Sequence, residues 1–283
     1  MEEIKKISLM VIDSLRYDCV GYQPDKKYLE KDHVLGLLET PTIDKIAKES
    51  TCFTKCYSTS SLTPQVLASM FTGTTQVNHK IRLNTETGKN ILHKNTNTMA
   101  EILKEEGFIT VFSSESPVHL KSPDLMRGFD HEFSQDDKKL FSFLAKNENE
   151  KIFLFCDFED VHIPYMYSDA PLNKEYNNDF FDEMNILYKQ FKLKTPKQPW
   201  EYWNNIYKID DHRKIWLPIY LKGVSKFDKG RFKYFIDEVS RLGFNESKNS
   251  LMIITSDHGE GKQFSNKPEG FGHGGEGYEE ISR

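Results

Sequence analysis

The sequence predicts an α/β protein built on a doubly wound, mostly parallel sheet with helices on both faces. Four short apolar runs, rich in β-branched and aromatic residues, are typical of buried strands. Runs without polar alternation favour strands covered on both faces. Helical periodicity lies between the runs, and this alternation indicates the fold class. The four predicted strands are Ile7–Ile12, Phe108–Phe112, Ile152–Phe155 and Leu251–Thr255.

Three helices are predicted by the residues at their boundaries. Thr40–Ala47 opens with a capping threonine followed by Pro41 at the first helical position. Thr98–Gly107 is a helix that ends at glycine and leads directly into the second strand. Phe232–Leu242 repeats that arrangement before the last strand.

The composition is that of an ordinary soluble protein. The chain has 283 residues, 37% hydrophobic and 29% charged, which is enough for one sizeable α/β domain with a real core. A formal net charge of −5 gives no reason to expect nucleic acid as a partner. No stretch approaches the roughly 20 apolar residues that span a bilayer, and the N-terminus shows no secretory signal. We therefore expect a cytoplasmic protein.

One catalytic domain over residues 1–283 is the expected organisation, with an irregular insertion at about 165–216. The insertion interrupts the strand–helix alternation and holds many aromatic residues, among them Tyr202, Trp203 and Trp216. Two interpretations stay open for it. It lines or covers a pocket, or it is a surface subdomain with a small core of its own.

Metal-ligating side chains follow the first and last predicted strands. Asp13 ends the first strand, and Asp257 and His258 end the last. Because the carboxyl ends of parallel strands share one edge of the sheet, these residues can meet at one site. Two carboxylates and an imidazole suit Mn²⁺, Zn²⁺ or Mg²⁺, and the imidazole makes Ca²⁺ less favoured. The alternative is that each aspartate only caps a turn.

A third element begins at Thr63-Pro64, which is predicted to start a helix with Thr63 as its cap. The N-terminus of a helix offers free N–H groups and the positive end of the dipole, which suit an anionic ester. The Thr63 hydroxyl would then be placed to bind both a metal ion and a substrate phosphorus. The alternative is a simple helix cap without a chemical role.

These features resemble the motifs of the sulfatase family in the alkaline-phosphatase-like superfamily, in the same order along nearly the whole chain. The resemblance implies an alkaline-phosphatase-like fold. The matching stretches are Val11–Asp18, Thr40–Ala47, Phe53–Ser58, Thr63–Gly73, Asn78–Asn84, Ser256–Glu260, Gly272–Gly274 and Tyr278–Glu280.

The resemblance implies a role for four residues at the metal centre. Asp13, Asp257 and His258 match the family's metal ligands. Thr63 matches the position of the nucleophile, which also binds the metal ion. One tightly bound divalent ion is expected, because the additional ligands of a two-zinc phosphatase are not evident; Mn²⁺, Zn²⁺, Mg²⁺ and Ca²⁺ all remain candidates.

Three histidines are predicted to face the substrate. The resemblance assigns His162 and His273 to the ester, as catalytic and substrate-binding residues, and matches His79 to a further substrate-binding position. The alternative for His162 and His273 is a polar residue of the surface or core. The alternative for His79 is that it supports the fold.

The chain also departs from the family's pattern. It lacks the C/S-x-P-x-R motif from which sulfatases make formylglycine, since Val66 and Leu67 stand where Ser and Arg are usual. Threonine cannot become formylglycine, so Thr63 indicates the branch of phosphodiesterases and of phosphoglycerol and phosphoethanolamine transferases. Ser14 replaces an aspartate that sulfatases usually offer to Ca²⁺. The sequence stops at Arg283, where the family usually continues, and we expect a C-terminal part of the fold to be missing.

The predicted function is metal-dependent hydrolysis of a phosphate or sulfate ester, with a small molecule or a glycan as the substrate. Two alternatives stay open. One is a phospho-head-group transferase that modifies a glycan or lipid. The other is a family member that binds an anion without catalysis. The sequence does not indicate the oligomeric state.

Overall fold

Among the residues that the structure describes, five parallel strands form the central sheet, in the order β3-β2-β4-β1-β7. A separate antiparallel pair, β5 and β6, forms a second small sheet. The strands are β1 (Lys6–Ile12), β2 (Ile109–Ser114), β3 (His131–Phe133), β4 (Ile152–Phe158), β5 (Ser168–Ala170), β6 (Glu175–Tyr176) and β7 (Ser250–Thr255). The predicted doubly wound, mostly parallel fold is confirmed, and all four predicted strands are present.

The structure is a computed structural model. It describes residues 3–23, 35–81, 92–93, 95–114, 123–134, 136–162, 165, 168–170, 175–176, 182, 184–186, 188–189, 213–245 and 248–260. Most of the predicted insertion, including Tyr202 and Trp203, lies outside these residues.

Helices cover both faces of the sheet. They are α1 (Pro41–Lys48), α2 (Thr63–Thr72), α3 (Gln76–His79), α4 (Met99–Glu105), α5 (Asp137–Lys146), α6 (Arg213–Phe227) and α7 (Lys233–Arg241). A π-helical segment, Asp228–Phe232, joins α6 to α7. No helix among the described residues is long and apolar enough to cross a membrane.

The sheet separates two hydrophobic clusters, because successive residues of a strand point to opposite faces. Leu9 and Val11 of β1 pack with side chains of α2 and α4, such as Leu67. Met10 and Ile12 belong to the other cluster, which contains side chains of α5, α6 and α7. The central strand β1 is therefore buried on both sides, and the loop that follows it is held by both layers.

Helix boundaries follow the capping residues in α4. Thr98 accepts a hydrogen bond from the backbone N–H of Glu101, and the Glu101 side chain accepts one from the N–H of Thr98. This reciprocal pair satisfies two N–H groups that the first helical turn leaves without partners. The helix predicted from Thr98 is confirmed.

β7 differs from the prediction that each strand is covered on both faces. Its residues alternate between partly buried and exposed, and Leu251 and Ile253 are 47% and 42% exposed. In the described part of the chain β7 lies at the edge of the sheet. One face of this strand is therefore open to solvent there.

Candidate metal and nucleophile site

The carboxyl ends of three neighbouring strands define the site. β1 lies between β4 and β7, and the register pairs Val11 of β1 with Asp157 of β4 and with Thr255 of β7. The backbone N–H of Asp13 donates to the carbonyl of Phe158 at 3.0 Å, which fixes the end of β1 against β4. Because the three strands are parallel, the residues that follow them emerge at one edge of the sheet.

Three predicted metal ligands and the predicted nucleophile converge at this edge. Asp13, Asp257 and His258 each place one ligand atom within 4.8 Å of the other two. Thr63 Oγ1 lies 3.3 Å from Asp13 Oδ2 and 3.3 Å from His258 Nε2. All four residues are buried. The fold thus brings together two carboxylates, one imidazole and one hydroxyl from distant parts of the chain.

Thr63 lies in the first turn of α2 but does not cap it. The helix begins at Thr63 and the cap position is Leu62, so the predicted cap is wrong by one residue. Leu62 has extended backbone angles and makes no side-chain cap bond. The Thr63 hydroxyl is therefore not used on the helix backbone and instead faces Asp13 and His258.

His258 directs one ring nitrogen towards Thr63 and Asp257. Its Nδ1 lies 3.0 Å from the carbonyl oxygen of Gly259, which can only accept, so Nδ1 carries the hydrogen of the neutral ring. Nε2 then presents a lone pair towards Thr63 and Asp257. A backbone carbonyl that fixes the ring in this way is typical of metal-binding histidines.

Asp257 supplies the observation that tests whether a cation fits. Its Oδ2 is buried, has no hydrogen-bond partner among the described residues, and lies 3.2 Å from His258 Nε2. Two lone pairs at this distance repel each other unless a proton or a metal cation lies between them. The mixed oxygen and nitrogen set suits Mn²⁺, Zn²⁺ or Mg²⁺, so the residues fit a divalent metal ion.

A further buried acidic side chain, Asp157 near the end of β4, lies at this edge. Burial, together with repulsion by Asp13 and Asp257, raises the pKa of Asp157 well above its ordinary value. Burial and repulsion by Asp13 likewise raise the pKa of Asp257. Buried carboxylates this close together favour a bound cation. The sequence did not single out Asp157, because the predicted strand ended at Phe155.

The turn after β1 orients the carboxylates of the two predicted ligands, Asp13 and Asp257. Ser14 adopts a left-handed conformation with φ +64°. Its N–H donates to Asp257 Oδ1 at 3.1 Å, and its hydroxyl donates to Asp13 Oδ1 at 2.7 Å. The next N–H, of Leu15, donates to Ser256 Oγ at 3.1 Å. The sequence pattern indicates Ser14 only as a replacement for aspartate and does not predict this orienting role.

The predicted substrate-facing histidines are only partly described. His162 lies in the loop that leaves β4 at the same edge, is partly exposed, and its carbonyl accepts from the N–H of Tyr165 at 2.7 Å. His273 lies outside the described residues. The roles of both stay predictions.

His79 lies in the interior beside α2. It is fully buried, its Nδ1 accepts from the N–H of Ile81 at 3.1 Å, and its Nε2 lies 3.1 Å from Ser69 Oγ. Because Nδ1 accepts, Nε2 carries the hydrogen and donates to Ser69. This arrangement matches the alternative in which His79 supports the fold, since both ring nitrogens are engaged by the protein; its predicted contact with substrate stays a prediction.

Comparison with known proteins places the chain in a family. A family model described as Sulfatase matches residues 6–214, which is more than half of the chain. The chain belongs to the sulfatase family. The resemblance seen in the motifs is thereby confirmed. No curated protein sequence matches the chain significantly.

Solved structures share the fold of this sulfatase-family chain at low sequence identity. A phosphonate monoester hydrolase of Agrobacterium radiobacter is 15% identical, with a TM-score of 0.58, over 98% of this chain and 66% of its own. A member of the alkaline phosphatase superfamily from Vibrio parahaemolyticus is 17% identical, with a TM-score of 0.54; the match covers 94% of this chain and 57% of the Vibrio chain. The C-terminal periplasmic domain of EptC from Escherichia coli, solved as a complex with Zn, is 14% identical, with a TM-score of 0.59, over 96% and 69%.

These matches establish an alkaline-phosphatase-like α/β fold. The chain spans between 62% and 67% of the length of the Bacteroides sulfatase structures that it matches. The neighbours include a protein named as a hydrolase and one named as a transferase, and at this level of identity the likeness shows the fold alone.

Proposed function

We propose that this sulfatase-family chain hydrolyses phosphate esters with Thr63 as the nucleophile and one divalent metal ion held by Asp13, Asp257, His258 and Thr63. The observation that supports the proposal most directly is the position of Thr63 Oγ1, 3.3 Å from both Asp13 Oδ2 and His258 Nε2. Starting the helix does not require the Thr63 hydroxyl to lie between the buried side chains of Asp13 and His258, so this position supports a chemical role.

Phosphate is favoured over sulfate by the identity of the nucleophile. Sulfatase chemistry uses a formylglycine made from Cys or Ser, and Thr63 cannot provide it. A threonine hydroxyl can attack phosphorus directly. The chemistry that a divalent ion supplies at such a site is a lower pKa for a coordinated hydroxyl and polarisation of the ester.

The chain's own residues then carry two steps. In the first, Thr63 Oγ1 gives up its hydroxyl proton and forms a bond to phosphorus, in line with the bond to the leaving oxygen; that bond breaks, and the leaving oxygen takes up one proton. In the second, the oxygen of a water molecule attacks the phosphorus of the phosphothreonine, the Oγ1–P bond breaks, and one proton of the water restores the Thr63 hydroxyl. His162 and His273 are the proposed groups that steady the transferring phosphoryl group or protonate the leaving oxygen. The N-terminus of α2 favours the negative charge of the ester.

The test is the Thr63→Ala variant, assayed with nitrophenyl phosphate monoesters, diesters, phosphonates and sulfates after reconstitution with metal. We expect kcat to fall by at least about 10³-fold, because a nucleophile is lost. Bound metal, measured by elemental analysis, should stay near one ion per chain, since Asp13, Asp257 and His258 are retained.

Thr72→Ala is the matched control, because it removes the same hydroxyl from the last turn of the same helix, where Thr72 donates to the carbonyl of Ala68. Its kcat should match that of the unmodified protein. Near-normal turnover by Thr63→Ala on aryl phosphodiesters would refute the nucleophile assignment. Absence of a stoichiometric ion from protein purified without chelator would refute the metal site.

Transfer to an alcohol is the second candidate function. It is favoured by the shared fold with periplasmic domains of phosphoethanolamine transferases and uses the same phosphothreonine. Turnover with added glycerol or ethanolamine separates the two functions. A phosphorylated alcohol as the main product indicates a transferase, whereas free phosphate that is insensitive to the acceptor indicates a hydrolase.

A further inference from the structure

Tyr220 of α6 connects two backbone groups of the turn after β1. Its hydroxyl donates to the carbonyl of Ser14 at 2.9 Å and accepts from the N–H of Arg16 at 2.9 Å. The side chain is fully buried, and burial raises the pKa of Tyr220 well above its ordinary value, so the hydroxyl keeps its proton. Without this hydroxyl, both backbone groups lose a partner inside the protein.

Packing fixes the position of the Tyr220 ring independently of these hydrogen bonds. Tyr165 lies edge-on to it with centroids 5.3 Å apart, and Trp216 lies 5.8 Å away on the same helix. Gly223, three residues further along α6, lets the backbone of Tyr165 approach, since a Cβ there would be 2.6 Å from the Tyr165 carbonyl oxygen. The hydroxyl is therefore presented to the turn by a rigid support.

The turn needs such a support because Ser14 is left-handed. A residue with a Cβ is disfavoured at φ +64°. In this conformation Ser14 donates from its N–H to Asp257 and from its hydroxyl to Asp13. Relaxation of Ser14 to an ordinary conformation would remove one or both of these bonds and release the two carboxylates from their common orientation.

The geometry points to Tyr220 as a positioning residue of the metal site: its hydroxyl holds Ser14 in the left-handed conformation that aligns Asp13 and Asp257 on a divalent cation. This inference rests on the proposed function, because it needs the metal site, and it adds a residue of α6 that touches neither the ion nor the substrate. Partners that hydrogen-bond a ligand directly, as Ser14 bonds Asp13 and Asp257, change metal affinity by about 10- to 100-fold when they are removed, and Tyr220 acts through Ser14.

The experiment measures the Kd of Mn²⁺ by calorimetry for the metal-free protein and for Tyr220→Phe, which keeps the ring and removes only the hydroxyl. We expect binding to weaken by about tenfold or more. kcat at saturating Mn²⁺ should recover to within about threefold, since Thr63 is untouched and excess ion restores the occupied site. Tyr234→Phe removes the same atom from the half-exposed Tyr234 of α7 and should leave the Kd unchanged.

Two variants of Ser14 test whether Tyr220 acts by holding Ser14 in the left-handed conformation. Ser14→Ala and Ser14→Gly both lose the hydroxyl, but only glycine adopts a left-handed conformation without steric cost. While Tyr220 is present the turn is held, so the two variants should bind Mn²⁺ within about threefold of each other. Adding Tyr220→Phe to Ser14→Gly should weaken Mn²⁺ binding by less than about threefold more. Adding Tyr220→Phe to Ser14→Ala should weaken Mn²⁺ binding by about tenfold.

The outcomes separate the proposed function from the positioning role of Tyr220. If the unmodified protein binds no Mn²⁺, the proposed function and this inference both fail. If it binds Mn²⁺ and folded Tyr220→Phe binds equally well, only the inference is overturned. If Tyr220→Phe does not fold, the Ser14 variants decide: similar affinities support the inference, and much weaker binding by Ser14→Ala than by Ser14→Gly overturns it.

Discussion

Removal of the charge of Asp18 should destabilise the protein strongly, because Asp18 pairs with a fully buried arginine. Arg16 Nε and Nη2 donate to the two carboxylate oxygens of Asp18 at 2.9 Å each, and neither side chain is exposed. The remaining Nη1 donates to the carbonyl of Glu260 at 3.1 Å. The guanidinium thus connects the turn after β1 to the segment after β7.

The magnitude follows from what Asp18→Asn leaves behind. Arg16 stays charged at any accessible pH, so the variant buries a guanidinium without its counter-charge. Breaking a buried pair from one side costs about 3–5 kcal/mol of unfolding free energy, out of a total of about 5–15 kcal/mol for a typical domain. The melting temperature should fall by roughly 6–20 °C, at about 2–4 °C per kcal/mol for a chain of comparable size.

Urea unfolding followed by circular dichroism measures this cost. Asp237→Asn is the control, because Asp237 pairs with Lys233 on the surface, where both side chains are 59% exposed; it should change the unfolding free energy by less than about 1 kcal/mol. Replacing both buried partners by Arg16→Met and Asp18→Leu should cost less than Asp18→Asn alone. An Asp18→Asn protein as stable as the Asp237→Asn protein would refute the reasoning.

Two further predictions concern stability. Gly128→Ala should lower the free energy of unfolding clearly more than Gly73→Ala does. Both glycines have positive φ. A Cβ at Gly128 would lie 2.3 Å from the backbone nitrogen of Glu101, whereas nothing lies within 4 Å of a Cβ at Gly73. Equal costs in urea unfolding would contradict the clash. The second prediction concerns His79. Burial lowers the pKa of His79 from its ordinary value of 6.5, so the folded state favours the neutral ring. The stability that this preference provides is complete above pH 6.5 and is lost as the pH falls below 6.5. His79→Gln should therefore reduce the loss of unfolding free energy between about pH 6.5 and 5, and an unchanged slope would contradict this.

Much of the sheet could be predicted because its strands have strong local signals. β1 and β7 begin one residue before their predicted starts, and β4 extends three residues beyond its predicted end. β3 was missed because its three residues, His131–Phe133, include a histidine and a glutamate and show no apolar run. The exposed face of β7 was also not predictable, since an apolar run specifies a strand but not its neighbours.

The site could be predicted as far as strand ends determine it. Asp13, Asp257 and His258 follow parallel strands that lie side by side, so topology alone brings them together. Thr63 was misplaced by one residue, because capping preferences do not fix a helix start more closely than that. Tyr220 carried no signal, since a tyrosine in an apolar helix predicts only a place in the core.

Several local rules are violated together at one edge of the sheet. Asp13, Asp157 and Asp257 are buried acidic residues, and Asp13 raises the pKa of the other two. Apolar residues there would give a more stable protein. Ser14 adds a disfavoured backbone conformation at the same place, and Tyr165, in the loop after β4, adds another. Buried carboxylates and disfavoured backbone conformations each lower stability, and their combination is typical of a functional site. A divalent cation at this edge would convert the repulsion between the carboxylates into binding energy, as the proposed function requires.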